Sequence, residues 1–244
     1  MTRCLSVLAF CLALVSGAAQ AQEATTTLDR EEIELIVRDY IAAHPEIVVE
    51  ALRDWQRQAE AQQVEAAREA LAARAGDLYD DAETPYAGNA QGDVVIVEFF
   101  DYRCGYCRHS ATDLFALLDS DPGVKVVFKE FPILGEASRL ASRAALASRE
   151  QGLYFPFHQA LMQADIGFSE AEIMAVAESV GLDTAQLKAD MADPRIDAYL
   201  ARTDALAREL GVNGTPAFVI DGALYPGALD AEDLDQLVAQ GRQG

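Results

Sequence analysis

Cysteine is scarce in this chain: four among 244 residues, at positions 4, 11, 104 and 107. Basic side chains are outnumbered, 19 Lys and Arg against 40 Asp and Glu, for a formal charge of -21. That deficit argues against nucleic-acid binding, which needs a basic face to release counterions from phosphate. It argues equally against adhesion to an anionic membrane surface. Long apolar runs are missing except near the N-terminus, where Cys4 to Val15 is shorter than a hydrocarbon core of about 30 Å demands. A stable membrane anchor is therefore not expected. What remains, 51% apolar and 24% charged, suits a folded globular chain of one large domain or two small ones.

The N-terminus reads as an export signal. Met1-Thr2-Arg3 is a short positive start, Cys4 to Val15 is apolar, and Ala19-Gln20-Ala21 fits the small-x-small cleavage rule. The expectation is a signal peptide over 1–21, cut before Gln22, and a periplasmic mature protein. Cleavage removes Cys4 and Cys11 and leaves only Cys104 and Cys107. A disulfide across so small a loop removes little unfolded-state entropy, so the pair is expected to be a reactive couple or part of a metal site.

Residues 22–75 read as an N-terminal helical arm. Thr27 or Asp29 can cap a first helix through Ile41, with acids in its first turn. His44-Pro45 breaks it, and Pro45 suits the first turn of a second helix running to about Arg74. The stripe Val48, Leu52, Trp55, Ala59 has coiled-coil-like spacing, then slips phase to Val64, Ala67 and Leu71. The arm has too little apolar bulk for a core of its own. Packing against copies of itself is one use for it; folding back as a helical layer is the other.

Residues 76–244 read as an α/β domain. Leu78 to Gly92 suggests a short edge strand and turns. Val94 to Phe100 is a β-branched apolar run, expected to be a strand buried on both faces. A helix from Cys104 to about Leu118 and a strand from Val124 to Phe131 complete a parallel βαβ unit. A helical block follows over about 136–210, with breaks near Gly152, Gly167, Gly181 and Pro194. A strand from Pro216 to Ile220, a tight turn at Asp221-Gly222, a strand at Ala223-Leu224-Tyr225 and a helix from about Asp230 to Ala239 close the chain.

Cys104-Gly105-Tyr106-Cys107 follows the buried strand and opens the helix. A CxxC in this context points to a thioredoxin-like redox site. Unpaired N–H groups and the positive dipole end would hold Cys104 as a thiolate, the species that attacks disulfides. Cys107, one turn in, is the expected resolving thiol. Structural zinc wants four ligands, usually in two close pairs, and the mature chain has no second cysteine pair. His109 points elsewhere on the helix, and His44 and His158 are distant in sequence. Cu(I) held by two soft thiolates remains a secondary reading.

Together with Gly214-Thr215-Pro216 before the last hairpin and the inserted helices, the CxxC resembles the DsbA-like thioredoxin-fold proteins of the bacterial envelope over about Leu78 to Gln240. The arm extends the resemblance toward the ScsC-like branch, some of whose members are oligomeric. The resemblance implies a thioredoxin fold with an inserted helical block plus an N-terminal α-helical arm. It implies a cis Pro216 beside the CxxC, with Thr215 and Pro216 docking an extended substrate segment and Tyr106 close by. Glu98 interrupts the apolar strand six residues before Cys104, a costly place for a carboxylate unless it is paired or used. Lys129 on the adjoining strand is a candidate partner, the resemblance implies a buried acid there that shuttles a proton for Cys107, and the alternative is a solvated Glu98 at the strand edge. Gly105-Tyr106 with a Thr before the proline looks like disulfide isomerases of the DsbC type; the alternative for Tyr106 is packing on the first helical turn. The expected activity is protein disulfide isomerisation, with dithiol oxidation or Cu(I) binding as alternatives. The expected partners are unfolded or misoxidised secreted proteins and a membrane thiol reductase or oxidase. No cofactor and no resident metal are expected.

Overall fold

A computed structural model describes residues 29–243. The expected signal peptide over 1–21 lies outside the described residues. The chain divides into two compact units, the second beginning at Arg57.

In the first unit, α1 (Arg30–Ala43) starts at Asp29 in a reciprocal cap. The Glu32 N–H donates to Asp29 Oδ1 at 2.8 Å, and the Asp29 N–H donates to Glu32 Oε2 at 3.1 Å. Two otherwise orphaned donors are satisfied, and both carboxylates face the positive end of the helix. His44 ends α1, and α2 (Pro45–Ala73) begins with proline at its first position. None of the α1 residues is buried. Ile33, Ile36, Val37, Tyr40, Leu52 and Trp55 all stand exposed.

The second unit is built on a five-stranded sheet in the order β1-β3-β2-β4-β5: β1 (Tyr86–Gly88), β2 (Val94–Phe100), β3 (Val124–Glu130), β4 (Ala217–Ile220) and β5 (Ala223–Pro226). β2 and β3 run parallel, joined by α4 (Gly105–Ser120); the other pairs are antiparallel. Leu78 and Tyr79 are not strand residues. They end a five-residue helix, α3 (Ala75–Tyr79), and the edge strand lies further on at Tyr86. Asp221 and Gly222 both take positive φ, 48° and 68°, which lets the β4–β5 turn follow the strand twist.

Both faces of the central strands β2, β3 and β4 are buried. Ile96, Phe100, Val126 and Phe128 pack with Leu114 of α4 and with the inserted helices α5 (Glu136–Ala147) and α6 (Tyr154–Gln163). That insertion continues through α7 (Glu170–Ser179), α8 (Thr184–Asp190) and α9 (Pro194–Glu209). α10 (Ala231–Gly241) adds Leu234 and Val238 to the same side. The opposite face, Val97, Phe99 and Val127, packs against Leu71 near the end of α2, Leu78, and Leu206 and Ala207 of α9. β2 has no exposed residue because it serves two cores at once, and this explains its continuous apolar run.

Candidate active site

Cys104 is the N-cap of α4, and its side chain makes no capping bond. The backbone amides of Cys107 and Tyr106 in the first turn of α4 nevertheless favour its thiolate. Cys104 is 8% exposed and Cys107 is 0% exposed, so the first sulfur sits at the rim and the second beneath it. The protonated Cys104 thiol donates to the carbonyl oxygen of Thr215 at 3.2 Å. The Cys104 thiol is lowered to about 5: the hydrogen bond from Cys107 contributes most, burial opposes, and Thr215 with the Cys107 and Tyr106 amides add to the lowering. Cys107 moves the other way. Burial, then its hydrogen bond to Cys104, then the Glu98 charge push its thiol far up. Burial and hydrogen bonding thus separate two chemically identical groups.

The Thr215–Pro216 peptide is cis, and the Pro216 carbonyl accepts from the Gly227 amide at 2.9 Å, fixing the turn beside Cys104. Tyr106 is 72% exposed; it is not a packing residue of the first turn. Two exposed apolar side chains, Ile133 and Leu134, belong to the loop after β3. That loop is tied to the residues just before Cys104: the Leu134 amide donates to Asp101 Oδ2 at 2.9 Å, and the Arg103 guanidinium donates to the Leu134 carbonyl at 2.9 Å.

Glu98 is fully buried, and neither carboxyl oxygen has a hydrogen-bond partner. The solvated edge position considered from the sequence does not occur. Burial first, then the charges of Cys104 and Glu130, raise its carboxyl to about 8. A carboxylate without donors is costly to bury, so the neutral acid is favoured at neutral pH.

Lys129 is not its partner. In the β2–β3 register, Glu98 lies opposite Phe128 and Lys129 opposite Phe99. Side chains alternate along a strand, so Lys129 projects to the other face. There its Nζ donates to the Asp77 carbonyl at 2.6 Å and to Thr84 Oγ1 at 2.6 Å, with Asp81 at 4.0 Å.

A polar group not expected from the sequence does share the Glu98 face. Glu130, at the end of β3, is fully buried. Its Oε1 accepts from the Tyr102 hydroxyl at 3.0 Å and the Tyr154 hydroxyl at 2.9 Å. The Tyr102 hydroxyl also lies 3.0 Å from His158 Nδ1, and His158 is fully buried. Burial lowers His158 to about 3, so it stays neutral. Among the described residues, no three His, Cys, Asp or Glu side chains are placed to hold a metal ion together.

Residues 95–239 match the family model described as the DSBA-like thioredoxin domain, and residues 29–62 match the copper resistance protein ScsC N-terminal domain. A thioredoxin-like oxidoreductase from Silicibacter pomeroyi is 46% identical, with a TM-score of 0.67 over 69% of this chain and 98% of that one. Proteus mirabilis ScsC in a transitional conformation is 33% identical, with a TM-score of 0.66 over 86% of this chain and 95% of that one. Among curated relatives, the Na(+)/H(+) antiporter NhaA 3 of Salinispora tropica is 28% identical over 153 residues. Those residues are 62% of this chain and 24% of the antiporter, so the chain spans about a quarter of the length of that relative.

Proposed function

Because the chain belongs to the DSBA-like thioredoxin family, we propose that it is a thiol:disulfide oxidoreductase whose main activity is to shuffle wrong disulfides in exported proteins. The observation that carries the exchange chemistry is the separation of the two sulfurs, one lowered to about 5 at the rim and one pushed far up beneath it. Cys104 attacks a client disulfide as thiolate. The S–S bond of the client breaks, a mixed disulfide forms on Cys104, and the second client sulfur leaves. Cys107 then attacks Cys104 when no client thiol resolves the adduct. Its proton passes to the ionised form of Glu98, the Cys104–Cys107 bond forms, and the electron pair leaves on the client sulfur. The backbone at Thr215–Pro216 pairs with an extended client segment, and Tyr106 flanks that segment.

Isomerisation requires Cys104 to be reduced, so a membrane thiol reductase of the bacterial envelope is the partner of this reading. Residues 1–21 serve as the export signal. Residues 22–75 act as an oligomerisation arm, and residues 76–244 as the catalytic domain. The apolar side chains that α1 and the start of α2 leave exposed support the arm's role. Refolding of scrambled ribonuclease at substoichiometric protein tests the activity. Recovery of ribonuclease activity supports the isomerase; insulin reduction without that recovery points to a dithiol oxidase. Cu(I) sequestration by two thiolates is less well supported, because it must ionise the thiol that burial pushes far up.

A further inference from the structure

Two buried carboxyls share the sheet face that carries the cysteines, and their surroundings differ. Glu98 and Glu130 sit on adjacent parallel strands, and in register Glu98 meets Phe128 while Phe100 meets Glu130. They are two positions apart, on one face, and fully buried. The Glu98 oxygens accept nothing. One Glu130 oxygen accepts two tyrosine hydroxyls. Hydrogen bonds donated to a carboxyl favour its ionised form, and a like charge nearby disfavours a second ionisation.

We propose that Glu130 is a positioning residue for the exchange: Tyr102 and Tyr154 place the first negative charge of the carboxyl pair on Glu130, and that charge keeps the proton on Glu98. The inference rests on Glu98 being the proton carrier for Cys107. Glu98 feels the charges of Cys104 and Glu130, and Cys107 feels the charge of Glu98. Burial raises Glu130 to about 8, as it does Glu98, so what sets the order of the two is the hydrogen bonds: Ser142 of α5, Tyr154 of α6 and Tyr102 before α4 lower Glu130, Asp101 raises it, and its charge reaches Tyr199 of α9. His158 reaches the group through Tyr102 and carries no charge. With Tyr102 donating to Glu130, His158 Nδ1–H donates to the Tyr102 oxygen, so the imidazole fixes the direction in which that hydroxyl points.

The consequence for the exchange is a proton held in store. When a client thiolate attacks the oxidised Cys104–Cys107 bond, the Cys107 sulfur leaves and takes the Glu98 proton. In the reverse step Cys107 returns that proton to Glu98. The Glu130 charge sets the pH at which Glu98 changes between these two states.

The test uses the full mature chain carrying a mixed disulfide between Cys104 and thionitrobenzoate, whose coloured thiolate reports its release by Cys107. The release rate is followed against pH in the wild type, Glu98→Gln, Glu130→Gln and Tyr102→Phe/Tyr154→Phe. In the wild type the rate climbs through the ionisation of Glu98, and Glu98→Gln abolishes that inflection. Glu130→Gln moves the inflection down by about one pH unit or more, a roughly tenfold faster release below it. The double tyrosine variant moves it the same way. An inflection that stays in place in Glu130→Gln while Glu98→Gln removes it overturns the role of Glu130 alone. An inflection that survives Glu98→Gln overturns Glu98 as the proton carrier, and this inference with it. Should Glu130→Gln fail to fold, infrared titration of the buried carboxyls of the oxidised wild type and of Glu98→Gln decides the order. The lower-pH ionisation must persist in Glu98→Gln and the higher one must vanish; the opposite loss overturns the inference.

Discussion

The sulfur of Cys104 lies 3.2 Å from the carbonyl oxygen of Thr215, a contact between residues 111 positions apart. It joins the start of α4 to the turn before β4, so the reactive thiol and the peptide beside it form one surface. The thiol donates to that carbonyl only while protonated. On ionisation the donors at Cys107, Thr215 and the α4 amides take over.

Titration of the reduced protein by thiolate absorbance should therefore show one cysteine ionising near pH 5, absent in Cys104→Ser. The ionisation also carries stability. The folded thiol sits at about 5 and the unfolded one at 9.0. Between those values the unfolded state binds the extra proton, so the contribution rises with pH, is complete above about 9 and is lost as pH falls toward about 5. Denaturation midpoints of the reduced wild type, compared with Cys104→Ser across that window, should diverge as pH rises. Parallel midpoints would remove the stabilised thiolate and the exchange chemistry built on it.

Glu98→Gln reverses the sign. The folded carboxyl is raised to about 8 against an ordinary 4.5. From pH 4.5 upward the unfolded state loses a proton that the native state keeps, so the wild type pays increasingly up to about 8. The glutamine variant should be more stable at pH 7 by on the order of 3 kcal/mol, with no gain at pH 4. Its release of a mixed disulfide should be slower. Gained stability with lost exchange would mark a residue retained for chemistry rather than for the fold, and equal stability at both pH values would contradict the buried neutral acid.

How far the sequence reveals this site depends on the kind of signal each part carries. The cysteine pair was legible because a continuous apolar run, a two-residue spacer and a helix start occur together in a dozen residues. The cis peptide at Pro216 was legible only through resemblance. The face on which Lys129 lies was not, because β3 is buried on both sides and its residues show no polar alternation from which to read parity. α3 was missed because five residues around Gly76 carry no periodicity. The Glu130, Tyr102, Tyr154 and His158 group joins residues 24 to 56 positions apart. Its one local sign was an acid at the end of an apolar strand, a weaker sign than Glu98, which interrupts one.

Lys129→Met separates the two faces of the sheet. The lysine anchors the segment between α3 and β1 through the Asp77 carbonyl and the Thr84 hydroxyl, which also receives the Tyr199 hydroxyl at 3.2 Å. Methionine keeps the length and removes the donor, so the part-buried Asp77 carbonyl and the buried Thr84 hydroxyl both lose it. The expected loss is about 1–3 kcal/mol of stability, measured by denaturant unfolding. The Cys104 ionisation and the rate of mixed-disulfide release should not change, because Lys129 projects away from Cys107. A shifted Cys104 titration in this variant would restore the ion pair with Glu98 that the strand register excludes.

Leucines along α2 make the matching comparison for the two units. Leu71 is 2% exposed and packs among Leu78, Val97, Phe99 and Leu206, whereas Leu52 is 52% exposed. Truncating Leu71 to alanine opens a cavity in a core that cannot fully close over it, at a cost of about 2–5 kcal/mol. Leu52→Ala removes a side chain that already faces solvent within its own chain, so it should cost a monomer less than about 0.5 kcal/mol. If the arm pairs with its copies, that small effect becomes dependent on protein concentration, because the leucine is then buried only in the assembly. Unfolding followed at two concentrations, together with mass measurement of Leu52→Ala, reads this directly. A midpoint that does not move with concentration, on a chain of monomer mass, would leave the arm as an appendage and move the proposed activity from isomerase toward oxidase.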